Sequence, residues 1–316
     1  AGRPPRPLHR PAGAAVMPGA GPHGGDGARV AAALGIAVDD VLDLSASMNP
    51  VAPDPRPVVA RHLDALARYP DPTTATAALA DAMALDGGRL LLTNGGAEAI
   101  ALVAAELGGS VDEPDFSLYP RGDGPRWRSN PHNPSGALAG PEISAHVWDE
   151  AFYPLARGSW TRGDAERGAV VVGSLTKVFA CPGLRAGYVL APNRSLARRL
   201  AARQTIWSVN GLAAAAIPDL LASIDLVGWA TQIASQRADL VALLRSVGLS
   251  PEPSDAPWVL VREPGLRARL APQGVLVRDC ASFGLVEHAR VAVPDPAGLA
   301  RLGEALAATG AGTNTS

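Results

Sequence analysis

The chain has 316 residues, of which 47% are hydrophobic and 18% are charged, and its formal net charge is −2. This composition indicates a globular protein with a substantial core, in one large domain or two of ordinary size, and it argues against a basic nucleic-acid surface or a polybasic membrane face. Two cysteines, Cys181 and Cys280, are too few for a disulfide framework or a cysteine metal cluster, so we predict a cytoplasmic protein without a bound metal.

Both ends of the chain have the composition of extensions. Residues 1–20 are rich in Arg, Pro, Ala and Gly and lack the apolar segment of a secretory signal. We predict a disordered extension over residues 1–20 and a tail over residues 311–316. No apolar run reaches the roughly 18 to 20 residues that a membrane helix needs, so we also expect no membrane contact.

Short apolar runs typical of buried strands alternate with helical patterns along the chain. The candidate strands are 89–93, 145–149, 169–173, 186–190, 257–261, 274–279 and 289–293, and the candidate helices are 56–68, 73–85, 97–107, 194–206, 212–225, 228–247 and 295–307. This alternation predicts an α/β fold with a mostly parallel sheet. We expect a large domain over residues 56–227, a small α+β domain over residues 228–310, and a segment 21–55 that packs with the small domain.

The residue whose chemistry is most informative is Lys177, the single lysine of the chain. An arginine-rich genome would explain the lack of other lysines, and a lone lysine without context would be a surface charge. Lys177, however, follows the predicted strand 169–173, where a buried charge is costly unless it has a use. A primary amine can lose its proton and attack a carbonyl, whereas a guanidinium stays charged. These points make Lys177 a candidate catalytic residue, and the motifs around it favour that role over a surface charge.

Further motifs flank this lysine in the sequence. Ser174 stands three residues before it and Arg185 eight residues after it, and a guanidinium and a hydroxyl suit a phosphate group. In "LTNGGAEAI" (92–100) two glycines lie between a predicted strand and a helix start. Such a turn is often an ordinary connection, but its bare amides also form an anion site. The motifs "SNPHNPSG" (129–136) and "VWDEAFY" (147–153) complete the set.

The order G-G, N-P-x-N-P, D-E-A, S-x-x-K and G-L-R resembles that of the type I pyridoxal-phosphate (PLP) enzymes, across residues 22–308. The resemblance implies the type I fold, with PLP held covalently by Lys177 as the cofactor. It also implies that Asn133 contacts the ring hydroxyl, Asp149 pairs with the ring nitrogen and Tyr119 stacks on the ring. The implied cofactor-binding residues are Tyr69, Gly96, Ala97, Glu98, Tyr119, Asn133, Asp149, Ser174, Lys177 and Arg185.

The same resemblance predicts a dimeric assembly and a structural role for His132. Tyr69 matches a tyrosine that reaches the phosphate from a second subunit, which implies a homodimer with a shared active site. We interpret His132 as a turn residue rather than a catalytic one.

Two features depart from the family pattern. Phe152 stands where many relatives have a tyrosine that contacts the cofactor. The segment 120–129 replaces a longer strand-helix unit, so we expect a large domain reduced by a deletion there.

The motifs "PHGGD" (22–26) and "VRDCASFG" (277–284) resemble those of the threonine-phosphate decarboxylases of cobalamin biosynthesis, whose near relatives are the histidinol-phosphate aminotransferases. The implied reaction decarboxylates L-threonine O-3-phosphate to (R)-1-amino-2-propanol phosphate. Arg290 would bind the α-carboxylate, and His23, Asn49 and Arg278 are further substrate-binding candidates. Two alternatives stay open: an aminotransferase acting on a phosphorylated amino acid or amino alcohol such as histidinol phosphate, and a PLP-binding protein without catalysis.

Overall fold

The structure is a computed structural model that describes residues 17–21 and 23–310. The predicted tail 311–316 lies outside the described residues, as does most of the predicted extension. Residues 17–20 of that extension are described, and Met17 packs against a small buried cluster of Val30, Ala271 and Leu276.

The described residues form ten β-strands and eleven α-helices. The strands are β1 (Leu42–Leu44), β2 (Leu90–Thr93), β3 (Ser110–Val111), β4 (Arg126–Ser129), β5 (Val147–Asp149), β6 (Val170–Gly173), β7 (Gly187–Leu190), β8 (Trp258–Arg262), β9 (Val275–Asp279) and β10 (His288–Ala292). The helices are α1 (Gly27–Leu34), α2 (Arg56–Ala60), α3 (Thr73–Met83), α4 (Gly95–Leu107), α5 (Tyr153–Arg157), α6 (Leu175–Val178), α7 (Arg194–Arg203), α8 (Gly211–Leu221), α9 (Leu226–Ser246), α10 (Leu266–Leu270) and α11 (Pro296–Thr309).

The larger sheet has six strands in the order β2-β7-β6-β5-β4-β3. Strands β3 to β6 pair in parallel, and β7 pairs antiparallel with both of its neighbours. Five strands therefore run in one direction and β7 in the other. The mostly parallel α/β sheet predicted from the sequence is confirmed.

The side chains of this sheet alternate between two apolar layers. In β7, Tyr188 and Leu190 join the core cluster that contains residues of α3 and α8, whereas Val189 joins the cluster that contains residues of α4 and α7. This alternation follows from the two-residue period of a strand. Helices therefore cover both faces, as expected for strands that are apolar throughout their length.

The smaller sheet has four strands in the order β1-β9-β10-β8. Strand β1 pairs in parallel with β9, so a strand from the N-terminal part of the chain completes a sheet built from residues 258–292. Its buried face packs on α9 and α11 through Leu240, Leu244 and Leu302.

Every predicted strand lies within a residue or two of an observed one, whereas β1, β3 and β4 were not predicted. The first two are only two or three residues long. Strand β4 has the sequence "RWRS", which lacks an apolar run because its two buried positions are Trp127 and the polar Ser129. The segment 120–129, expected to be a connection, therefore ends in a strand.

The connection between β3 and β4 contains no helix in residues 112–125. The two strands are nevertheless adjacent and parallel. Parallel neighbours are usually joined by a helix that packs on the sheet, so this connection needs another source of support.

No single helix among the described residues is long and apolar enough to cross a membrane. The pair α8 and α9 meets the length and composition requirement only in combination, and the two helices meet at a bend of 89°.

Leu190 provides a test of the central sheet packing. It is 0% exposed and lies opposite Leu90 on one side and Val171 on the other. We expect Leu190→Ala to lower the free energy of unfolding by about 2–5 kcal/mol because it leaves a cavity. Urea unfolding measures this, with Leu190→Met as a volume-conserving control that should cost less than about 1.5 kcal/mol. Equal losses in the two variants would contradict the packing described.

Candidate functional site

The chemically active motifs meet at one edge of the larger sheet. Strand β2 ends before Gly95, β5 ends at Asp149, and β6 ends before Ser174 and Lys177. Because parallel strands end at the same edge, these residues converge there although they are far apart in sequence. They line a cavity of about 330 Å³, which is large enough for a small organic ligand.

Most of the predicted site residues line this cavity. They are His23, Gly96, Ala97, Tyr119, Asn133, Asp149, Ser174, Lys177, Arg185, Arg278 and Arg290. Arg278 comes from β9 and Arg290 from β10, and the two residues are paired across these neighbouring strands of the smaller sheet.

Three predicted residues do not line the cavity. Asn49 is buried, and its side-chain amide donates to the Val178 carbonyl at 2.9 Å. Glu98 accepts the Asn94 backbone N–H at 2.6 Å, so it caps the start of α4. Tyr69 is 76% exposed and stacks on Trp207 with ring centroids 4.2 Å apart.

Lys177 is a partly buried lysine whose amine lies in a cationic environment. Its Nζ donates to the Ala46 carbonyl at 3.0 Å and lies 5.4 Å from the centroid of the Phe152 ring. Burial, together with the positive charges of Arg290 and then Arg185, lowers the pKa of Lys177 from 10.5 to about 7. The amine is therefore available in its neutral, nucleophilic form near neutral pH.

Asp149 is the acidic residue of the cavity lining. Its carboxylate accepts the Tyr119 hydroxyl at 2.8 Å and the Ala151 backbone N–H at 2.9 Å. Burial raises the pKa of Asp149 to about 6, although these hydrogen bonds oppose the change. The carboxylate is thus ionised at neutral pH and can pair with a protonated ring nitrogen.

The start of α4 forms a cradle for an anion. Gly95 has a φ of +76°, and a Cβ there would collide with the guanidinium of Arg185. Gly96, Ser174 and Arg185 line the adjoining part of the cavity. Backbone amides at a helix start, a hydroxyl and a guanidinium are the donors that a phosphate group prefers. This donor set, with an amine and a carboxylate in the same cavity, fits PLP.

Arg290 and Arg278 bring further positive charge from the smaller sheet. The Arg290 guanidinium donates to the Asn133 side-chain oxygen at 2.5 Å and lies 4.6 Å from the centroid of the Trp258 ring. Burial and the neighbouring Arg278 lower the pKa of Arg290 to about 9. Arg278 donates to Ser282 Oγ at 3.1 Å. The cavity therefore has an excess of cationic side chains.

Some residues of the cavity were not identified from the sequence. Ser129, which precedes the N-P-x-N-P motif, accepts the Asn133 backbone N–H at 2.8 Å and could have been found from that position. Ala46 contributes a backbone carbonyl, which leaves no signal in the side-chain pattern.

His132 and Phe152 lie differently with respect to the cavity. His132 does not line the cavity, and its ring nitrogens lie 2.8 Å from Ser135 Oγ and 2.7 Å from the Pro114 carbonyl. Phe152 does line it and packs edge-on against Trp258. Within the described part of the chain, no three His, Cys, Asp or Glu side chains are grouped as metal ligands.

Comparison with known proteins supports the same family. The family model "Aminotransferase class I and II" matches residues 128–306. A histidinol-phosphate aminotransferase from Halorubrum lacusprofundi is 26% identical, with 90% of this chain and 94% of that protein covered. A threonine-phosphate decarboxylase from Salmonella typhimurium is 28% identical, with 90% and 95% covered.

Solved structures show the same fold. The histidinol-phosphate aminotransferase of Clostridium acetobutylicum superposes with a TM-score of 0.74 at 22% identity, covering 85% of this chain and 99% of that one. The L-threonine-O-3-phosphate decarboxylase of Porphyromonas gingivalis gives 0.72 at 24%, covering 85% and 99%. The histidinol-phosphate aminotransferase of Sinorhizobium meliloti, solved with pyridoxal-5'-phosphate, gives 0.71 at 17%, covering 84% and 90%.

The single lysine makes the ionisation of Lys177 directly measurable. In cofactor-free protein labelled with ¹³C-lysine, one side-chain resonance should titrate with a midpoint near pH 7 rather than near 10.5, because burial and the arginines disfavour the charged amine. Arg290→Met should move the midpoint upward, since it removes a neighbouring cation. Arg262→Met, whose exposed side chain pairs with Glu287, should leave it unchanged. A midpoint above pH 9 in the unmodified chain would contradict this environment.

Proposed function

The chain belongs to the class I and II aminotransferase family, whose enzymes use PLP, and from this premise we propose that it decarboxylates L-threonine O-3-phosphate to (R)-1-amino-2-propanol phosphate. The observation that carries the proposal is the meeting of two distant motifs. His23 of "PHGGD" and Arg278 of "VRDC" both line the cavity that contains Lys177. These two motifs are the part of the sequence that resembles the threonine-phosphate decarboxylases.

The charge of the cavity supports a substrate with two anionic groups. Lys177, Arg185, Arg278 and Arg290 line it, whereas Asp149 is the only carboxylate among the described lining residues. If the α4 cradle and Arg185 hold the cofactor phosphate, Arg278 and Arg290 are the candidates to bind the anionic groups of the substrate. A phosphorylated amino acid carries a carboxylate and a phosphate, which guanidinium groups bind in bidentate fashion.

Arg290 is suited to orient the substrate carboxylate. Asn133 and the face of Trp258 hold its guanidinium, so the group is placed before the ligand arrives. PLP, when bound, accepts the electron pair released as a bond at Cα breaks. By holding the carboxylate, Arg290 would orient the bonds at Cα and so determine which of them is cleaved.

Lys177 is suited to return the proton to Cα. Its pKa near 7 gives comparable populations of amine and ammonium at neutral pH, which favours both proton transfer and nucleophilic attack. Phe152 brings no hydroxyl beside it, so the proton would come from the lysine itself.

Two free cysteines, Cys181 and Cys280, are compatible with a reducing cytoplasmic setting.

The second candidate is an aminotransferase acting on a phosphorylated amino acid or amino alcohol such as histidinol phosphate. The relatives and neighbouring structures of that name support it as strongly as the decarboxylases support the first. The same cationic cavity would accept its substrate phosphate.

Turnover separates the two candidates. With PLP and L-threonine O-3-phosphate, we expect release of CO₂ without any 2-oxo acid, and the mass of the amino-alcohol phosphate as product. Arg290→Met should lower kcat/KM about 30-fold or more, because a buried charged contact is lost. Strict dependence on 2-oxoglutarate, with histidinol phosphate as the amino donor, would support the aminotransferase. Firm PLP binding without turnover of either substrate would point to a non-catalytic PLP-binding protein.

We also propose a homodimer. An exposed apolar surface, defined here as Leu63, Leu66, Tyr69, Ile206 and Trp207, has side chains that are 54–76% exposed. The stacking of Tyr69 on Trp207 joins its two segments. Exposed apolar patches of this kind mark protein interfaces, and a second copy would cover them and bring Tyr69 toward a neighbouring cavity.

Leu66→Glu tests the dimer, because a charge in the centre of an apolar interface costs free energy on association. We expect the wild type to elute as a dimer in size-exclusion chromatography with light scattering, and the variant to shift to monomer. Val38→Glu, at another exposed apolar position, should stay dimeric. A monomeric wild type would refute the proposal.

A further inference from the structure

The loop 113–121 lies in the helix-free connection between β3 and β4, yet it supplies much of one cavity wall. Phe116, Leu118 and Tyr119 all line the cavity. Tyr119 is 4% exposed, and its hydroxyl donates to Asp149 at 2.8 Å. A loop without a packed helix is normally mobile, whereas a cavity wall has to keep its shape.

The Arg121 side chain forms hydrogen bonds to several other residues of the loop 113–121. Its Nε donates to the Glu113 carboxylate at 2.6 Å. Its Nη1 donates to the carbonyls of Ser117 at 3.2 Å and Tyr119 at 2.7 Å. Its Nη2 donates to the carbonyls of Asp115 at 3.2 Å and Phe116 at 3.3 Å. A guanidinium has five N–H donors, so all of its donor capacity is directed to residues of this one loop.

Asp115 joins the same loop to the sheet. It is 1% exposed, and its carboxylate accepts the Ser129 hydroxyl at 2.5 Å and the Ser129 backbone N–H at 3.1 Å. Ser129 is the last residue of β4 and in turn accepts the Asn133 N–H. The loop is therefore fixed both within itself and to the edge of the sheet that carries the cavity.

We propose that Arg121 is a positioning residue, which, with Asp115 as the anchor to β4, sets the Tyr119 hydroxyl against Asp149 and so prepares the cavity for PLP. Arg121 itself does not line the cavity. A multidentate side chain takes the place of a packed helix as the support of this wall. The inference rests on the assignment of the cavity to PLP but not on which reaction follows.

A double-mutant cycle on PLP affinity tests this role. The variants are Arg121→Met, Tyr119→Phe and their combination, and the dissociation constant is measured by absorbance titration. We expect Arg121→Met to weaken PLP binding about tenfold, as the loss of hydrogen bonds from a charged group would. If Arg121 acts by placing the Tyr119 hydroxyl, Tyr119→Phe should weaken PLP binding clearly in the wild-type background. In the Arg121→Met background, Tyr119→Phe should raise the dissociation constant of PLP less than about twofold.

Arg126→Met is the matched control. Arg126 belongs to β4 and bonds to Asp112 in the same connection, but it makes no side-chain bond to the loop 113–121. It should leave PLP affinity within about twofold, and Tyr119→Phe should keep its full effect in that background. The same factor for Tyr119→Phe in all three backgrounds would overturn the proposal, because Arg121 would then act independently of Tyr119.

Hydrogen–deuterium exchange of the cofactor-free protein gives a readout that does not depend on PLP. Peptides covering residues 113–121 should exchange at least about tenfold faster in Arg121→Met than in Arg126→Met, since the internal bonds of the loop are lost. Unchanged exchange would overturn the proposal, even if PLP failed to bind. If Arg121→Met does not fold, Arg121→Lys replaces it in both experiments, because an ammonium keeps the charge but cannot reach five acceptors.

Discussion

The burial of one primary amine beside several guanidinium groups is the constraint on which the site depends. Desolvation and the neighbouring arginines lower the pKa of Lys177 to about 7, so the amine carries its costly charge only part of the time at neutral pH. The lowered pKa is also what makes the amine reactive at neutral pH. The same lowered pKa therefore reduces the desolvation cost of the side chain and makes the amine nucleophilic. A guanidinium at this position would stay charged, so it would keep the full desolvation cost and would not be a nucleophile.

The cavity needs both sheets, because each supplies part of its charge. The six-stranded sheet brings Lys177, Asp149 and the anion cradle to the ends of its strands. The four-stranded sheet brings Arg278 and Arg290 from paired positions on β9 and β10. The contact from Arg290 to Asn133 links the two parts directly. A ligand with more than one anionic group is the natural match for this arrangement.

The helix-free connection shows how the fold retains a cavity wall when a packed helix is lacking. Arg121 satisfies four carbonyls and one carboxylate of the loop 113–121, and Asp115 fixes the loop to β4. Carbonyl groups that a helix would have paired internally are paired with a side chain instead. The aromatic rings of Phe116 and Tyr119 can then keep a T-shaped packing, with centroids 5.6 Å apart.

The sequence by itself determined the fold class, the family and the charged residues of the cavity lining, since strands with apolar runs and motifs such as those around Lys177 and Asp149 have local signatures. Only the tertiary structure decided the rest. Strand β4 is stabilised by its neighbours rather than by its own polar sequence, and the Ala46 carbonyl has no side chain that could have marked it. The five bonds of Arg121 form only in the folded loop. These contacts involve backbone atoms or residues far apart in sequence. They depend on which segments the fold brings together, and the residue types alone do not specify those positions.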